Sequence, residues 1–300
     1  MRVRTLCSCV MLAAAAGLLY APLGAHTVDG VQKSLFVSVT DKTGNVVKDM
    51  AADDFHIRED GADRQVVAVK HASQPIRVEV LVDTAQAASG KTDYLQEMRT
   101  AVANFGKKLL RQSPDAKVAL MEFGQAAVPV VRLTTDPLAF EKGVNQLVIK
   151  PGTAPVLLEA LIAANEQLEL ETDSTRRAIV SVNIEPSNEQ STQEPKAVVT
   201  TFKKSGAQLW AASVQSGDLK NSKRDIVLND FTKATGGQRD MLLDMSALDG
   251  ALQRYADALT FQYEIVYDRP EGKKPPQQVQ VGNSRPGGPF VLHASGFAPQ

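Results

Sequence analysis

The stretch of this chain richest in chemical possibility is Asp83-Thr84-Ala85-Gln86-Ala87-Ala88-Ser89-Gly90-Lys91-Thr92, which follows the apolar run Val80-Leu81-Val82. From Ala85 to Thr92 it fits a relaxed phosphate-binding pattern: a small residue, four positions, then Gly-Lys-Thr between strand and helix. Such a loop works by turning backbone N–H groups toward phosphates while the lysine reaches the outer ones. Two features weaken the match. The opening position is Ala85, whose methyl group limits close backbone approach, and no apolar strand ending in a magnesium-binding aspartate follows. Other reactive groups are sparse. His26, His56, His71 and His293 are scattered without the paired spacing of metal ligands, and no Gly-x-Ser-x-Gly nucleophile motif is present. Trp210 lies in an apolar run and is expected in the core. Lys273-Lys274-Pro275-Pro276 reads as a solvated turn.

The beginning of the chain bears on compartment. Arg2 and Arg4 precede the apolar run Leu6 to Leu19, and small residues follow to Ala25, the layout of a secretory signal peptide cleaved near Ala25. That run falls short of the roughly 20 apolar residues of a membrane span, so residues 1–25 are read as a leader and no transmembrane segment is expected in the mature chain. Cys7 and Cys9, the only two cysteines, lie inside the apolar run, where they serve neither a lipid anchor nor a disulfide. With 43% hydrophobic residues the remaining chain can build an ordinary core. Beyond the leader 31 basic residues face 34 acidic ones with no long block of either sign, which argues against a nucleic-acid partner.

The elements that must position the Asp83 loop follow from hydrophobic period. In residues 26–75 the alternation of Leu35, Val37 and Val39, and then Phe55-His56-Ile57-Arg58 around Glu59-Asp60-Gly61, predicts short antiparallel strands. After Pro75 the rhythm becomes strand, helix, strand, helix. Arg77 to Val82 reads as a buried strand, and Leu95, Met98, Val102, Phe105 and Leu109 fall on one helical stripe behind an Asp93 cap. Lys117 to Phe123 and Val128 to Leu133 form a hairpin pattern, Ala178 to Val182 and Ala207 to Val214 two further buried strands. A helix is expected from Ile226 to Gly236-Gly237, and another behind a Ser246 cap. This alternation predicts an α/β fold with a doubly wound, mostly parallel sheet over residues 76–268 and a small flanking antiparallel β domain. Residues 269–300 return to β character and are expected to pair with 34–73, because neither segment can stand alone.

Several local motifs together resemble a known family. The strand ending at Asp83, Gly152-Thr153 before a helix, the central strand Arg177-Ala178-Ile179-Val180 and Ala234-Thr235-Gly236-Gly237 are similar to von Willebrand factor type A domains. The flanks Val39-Thr40-Asp41, Asp54 to Gly61 and Phe261-Gln262-Tyr263-Glu264-Ile265-Val266-Tyr267 resemble the bacterial, acidobacterial-type "VWFA-related" group. The resemblance implies a Mg²⁺ adhesion site above the sheet, with Asp-x-Ser-x-Ser in a first loop, a Thr in a second and an Asp in a third. Residue by residue, the first Asp is Asp83 and the Thr is Thr153. The two Ser positions are Ala85 and Ala87, and the last Asp falls on Ile184 with Glu185 beside it. Methyl groups cannot coordinate magnesium, so a vestigial site is expected, with Asp83, Thr153 and Glu185 as its remaining candidates and no cofactor. Thr84 and Ser89 could contribute only through a rearranged loop. The implied function is an exported, non-enzymatic protein-binding, adhesion or scaffold module in the periplasm or outside the cell, its partner an unidentified extracytoplasmic protein. The alternative is a nucleotide-binding or hydrolytic α/β protein using Ala85 to Thr92.

Overall fold

The computed structural model describes residues 30–85, 94–171, 175–215, 222–271, 276–286 and 290–297. The leader 1–25, His26, the Asp93 cap, Ala87 with most of the Ala85–Thr92 loop, and Lys273 to Pro275 lie outside the described residues.

A six-stranded sheet organises the α/β part. Its strands are β5 (Ile76–Val82), β6 (Lys117–Phe123), β7 (Ala127–Thr134), β8 (Arg176–Glu185), β9 (Gln208–Gln215) and β10 (Arg239–Leu242), in the order β10-β9-β8-β5-β6-β7. Neighbours are parallel except the β6–β7 hairpin. Every residue of β5 is buried, Arg77 and Glu79 included, as the strand's mostly apolar character fits when helices cover both faces. One face carries α1 (Tyr94–Gln112), α2 (Pro137–Val144) and α7 (Leu248–Thr260), with Met98, Val102, Phe105 and Leu109 packed on the even residues of β5. The other carries α3 (Leu157–Glu169), α4 (Pro195–Ser205) and the irregular helix of α5 (Ser222–Ile226), a π turn (Val227–Phe231) and α6 (Thr232–Thr235). The last of these begins four residues before the expected Ile226, and Gly236 ends it at φ 77°. The expected Ser246 cap is replaced: Asp244 accepts from Ser246 N at 2.9 Å and caps the 3-10 turn Met245–Ala247 that leads into α7. Trp210 is buried against Tyr255 and His293.

The flanks form a second unit. β1 (Gly30–Thr40) pairs with β11 (Tyr263–Pro270) and with β13 (Val291–Ala294), and β4 (Val66–His71) closes the other edge of this sheet. A three-stranded sheet sets β2 (Phe55–Glu59) between β3 (Ala62–Arg64) and β12 (Val279–Asn283). Leu35, Val37, Ile57, Tyr263, Ile265 and Tyr267 share its core. The α/β unit therefore ends with α7, and the expected boundary at 268 is too late: β11 alternates in the flank's own core because its antiparallel partner is β1, with Val37 opposite Tyr263. His293 ties the two units together. Its ring contacts Thr40 Oγ1 at 3.0 Å and the Gly237 carbonyl at 3.4 Å, and lies 4.9 Å from the Trp210 ring. Among the described residues no helix is long and apolar enough to cross a membrane.

Candidate functional site

The chain runs from β5 through α1 to β6 on one side, then returns to place β8 on the other. The carboxyl ends of β5 and β8 thus flank the point where the winding reverses, the crevice in which open α/β sheets bind ligands. Asp83 follows β5 and Glu185 ends β8, and both carboxylates are buried there. Between them lies a group the sequence did not single out. Arg224 of α5 is 1% exposed, and its guanidinium bonds Asp83 Oδ2, Glu185 Oε1 and Glu189 Oε2, each at 3.1 Å. The Ser187 hydroxyl and the Ile184 carbonyl also accept from it, and its central carbon sits 5.7 Å from the Phe123 ring centroid.

Asp83 has few unanswered lone pairs. Oδ1 accepts from Ala85 N at 3.0 Å, and Oδ2 accepts from Ile184 N at 3.4 Å as well as from Arg224. Burial raises the Asp83 carboxyl above its ordinary range, with Arg224 and the two amides opposing the shift. Glu185 is raised too, by burial and by repulsion from Asp83, against the pull of Arg224. Burial works against charge on Arg224 itself, but Asp83, Glu185 and Glu189 outweigh it and hold its proton more tightly than in free arginine.

Thr153 belongs to a neighbouring cluster. Its Oγ1 donates to the Lys150 carbonyl at 2.7 Å, Lys150 N donates to Thr84 O at 2.8 Å, and the Lys150 ammonium pairs with Glu122. Thr84 Oγ1 donates to the other Glu122 oxygen at 3.3 Å. A Cβ at Gly124 would lie 3.2 Å from Thr84 Oγ1 and 3.6 Å from Thr153 Oγ1, so it is Thr84 that faces Thr153 across this glycine. Glu185, not Ile184, brings its acid to Asp83. The Ile184 side chain turns into the core under α1 and α7, since the pleat sends alternate residues to opposite faces.

A Mg²⁺ ion needs several oxygens free to form a near-octahedral shell. Here Asp83, Glu185 and Glu189 are committed to a guanidinium and Thr153 to a carbonyl, with a second cation, Lys150, alongside; among the described residues no three acid, His or Cys ligands gather as a metal group. Among the described residues these donors are thus already engaged by cations of the protein itself. Arg224 left one trace in the sequence: with Val227 and Leu228 it keeps the i, i+3, i+4 spacing of a buried helical stripe, although it sits in a Lys-Arg-Asp run that reads as surface.

The sequence pattern of the von Willebrand factor type A domain matches residues 78–240, more than half of the chain. Fold and crevice together place the protein among α/β modules of that type. The chain belongs to the von Willebrand factor type A domain family. No curated protein matches it. Among solved structures it is similar to proximal thread matrix protein 1 from the mussel byssus with a zinc-occupied MIDAS motif, at 11% identity and a TM-score of 0.51, covering 69% of this chain and 50% of that one. The chain thus spans about half the length of the mussel protein. It is also similar to the SpRpn10 VWA domain (14% identity, TM-score 0.45, 57% and 92% covered). A further similar structure is that of an aerotolerance-related membrane protein from Bacteroides fragilis (16%, 0.45, 61% and 98%). At these identities the likeness is one of fold.

Proposed function

We propose that this chain is an exported, non-enzymatic protein-binding module of the bacterial VWFA-related kind, in which the Arg224 guanidinium takes the place of a dissociable metal ion. The observation that carries this reading is the shell of Asp83, Glu185 and Glu189 around one buried guanidinium at the winding reversal of the sheet. A covalently attached cation holds the strand ends and loops in one arrangement whatever the metal supply. Binding through the loops above the sheet then needs no bridging ion. Glu189 extends this effect, because its Oε1 accepts from Leu157 N at 2.8 Å and so caps α3. The leader-like residues 1–25 support export, and near-balanced charge supports a protein partner over nucleic acid.

The test is chelator sensitivity. The mature chain is cross-linked to its partner in the native envelope, and the complex is re-formed from purified components with EDTA or with Mg²⁺. Equal affinity in both conditions is expected, and a complex that dissociates in EDTA and returns with Mg²⁺ would sink the reading.

A further inference from the structure

Beside the Arg224 shell, at the same end of the sheet, a groove of about 810 Å³ runs along α3 between the β6–β7 turn and the loop that follows β8. We propose that this groove receives an extended polypeptide segment of the partner carrying two basic side chains about three residues apart. The inference rests on the protein-binding reading above and assigns a place and a chemistry to it.

The shape comes first. The apolar lining is made of small or short side chains, Ala127, Ala154, Val156, Ile162 and Ala163, which leave a bed that a backbone can approach closely. Gln125, Gln190 and Gln193 line it with amides, and each amide can both donate to and accept from peptide groups. An extended segment offers such unpaired N–H and C=O groups along its whole length. The volume lies within the roughly 300–1,000 Å³ of ordinary binding clefts.

Charge then selects the occupant. The charged side chains lining the groove are Glu159 and Glu166, and among the described residues neither forms an ion pair. They are seven residues apart on α3, two helical turns, which puts them on one face about 10 Å apart. Glu159 Oε1 accepts from Thr192 N at 2.6 Å and Thr192 Oγ1 at 2.9 Å, while its Oε2 is buried without a donor among the described residues. Burial raises the Glu159 carboxyl, but the bonds from Ser191 and Thr192 outweigh this and keep it ionised. A cation arriving in the groove meets the two glutamates and no competing positive side chain in the lining, and an acidic segment is repelled. A polyproline-like strand rises about 3.1 Å per residue, so side chains three apart match the glutamate spacing.

The walls stand before any partner arrives. Gln190 N donates to Pro155 O at 2.9 Å, Leu158 N to Ser191 Oγ at 2.9 Å, and Glu189 is fixed from behind by Arg224. Little loop ordering is then charged against binding.

The experiment uses the mature chain and fluorescein-labelled decapeptides of Gly, Ala and Val, read by fluorescence anisotropy. One peptide carries two lysines three positions apart, a second carries glutamates there, and a third has the lysines adjacent. Saturable binding is expected for the first alone, weakening with salt. Glu166→Lys, at an exposed position, is expected to weaken it about tenfold, near 1.4 kcal/mol, and a peptide with one lysine exchanged for glutamate should recover part of that loss. Ala163→Trp, checked for an unchanged circular dichroism spectrum, should abolish binding by filling the groove. Absence of saturable binding by the first peptide, or binding indifferent to both variants, overturns the proposal. If the partner itself still binds both variants with unchanged affinity in EDTA, the groove assignment falls while the metal-independent binding reading stands.

Discussion

Asp83 and Arg224 are 141 residues apart in sequence and meet at 3.1 Å between strand end and helix, both inaccessible to solvent. The pair draws in Glu185 and Glu189, so that three carboxylates share one guanidinium. Pairing and hydrogen bonding offset the desolvation of such groups only while the set is complete.

Arg224→Met should therefore lower the unfolding free energy by about 3–5 kcal/mol, because it leaves buried carboxylates unpaired. Arg224→Lys should recover only a minor part, since one ammonium cannot reproduce a fork of donors toward three acids. Urea unfolding followed by Trp210 fluorescence measures both. An Arg224→Met variant as stable as the parent would mean that the shell contributes nothing.

Divalent metal should leave the midpoint of thermal unfolding of the parent protein unchanged, with or without EDTA. Arg224→Ser removes the shared cation and leaves three buried carboxylates, all hard oxygen donors, without it. That variant should gain stability with Mn²⁺, rising with the logarithm of its concentration once this exceeds the dissociation constant. Ala85→Ser with Ile184→Asp should not achieve this alone, because Arg224 remains and Ile184 faces the core. Manganese stabilisation of the parent that Asp83→Ala weakens would show that metal displaces the guanidinium.

Glu79 lies in β5 with both carboxylate oxygens buried and without donors among the described residues, and burial raises its pKa to about 8 from 4.5. The folded state thus keeps a proton that the unfolded chain has lost. Stability from this group is full below 4.5 and declines as pH rises through about 8. Glu79→Leu should accordingly stabilise the protein by about 3 kcal/mol at neutral pH and far less in mild acid. Chemical denaturation at the two pH values reads the difference, and an equal effect at both would exclude the titration.

His293 works in the opposite sense. Burial lowers its pKa below 6.5, although the Gly237 carbonyl pulls the other way. The neutral ring is the one that folds, so its contribution is present above 6.5 and is lost as pH falls toward the lower folded value. His293→Phe keeps a ring beside Trp210, gives up the Thr40 bond at a cost of about 1 kcal/mol, and should flatten the loss of stability between neutral and mildly acidic pH. A parallel pH profile for the two proteins would remove His293 as the cause.

The residues by themselves determined the α/β alternation, the buried parallel strands and the position of Asp83 at a strand end. They did so because hydrophobic period and length are local properties: Ile76 to Val82 is mostly apolar, with Arg77 and Glu79 as its exceptions, since both its faces are covered, and Leu35, Val37 and Val39 alternate since one face of β1 is. The substitutions Ala85 and Ile184 were legible for the same reason, as residue types at known positions. Only the tertiary structure decided what stands among the strand ends. Arg224 looks like one of three charges in a row, and Glu189 like loop polarity, until the crossovers bring α5 over β5 and β8. The groove along α3 is equally invisible beforehand, because Gln125, Ile162 and Gln190 come from three separate elements that only packing sets side by side.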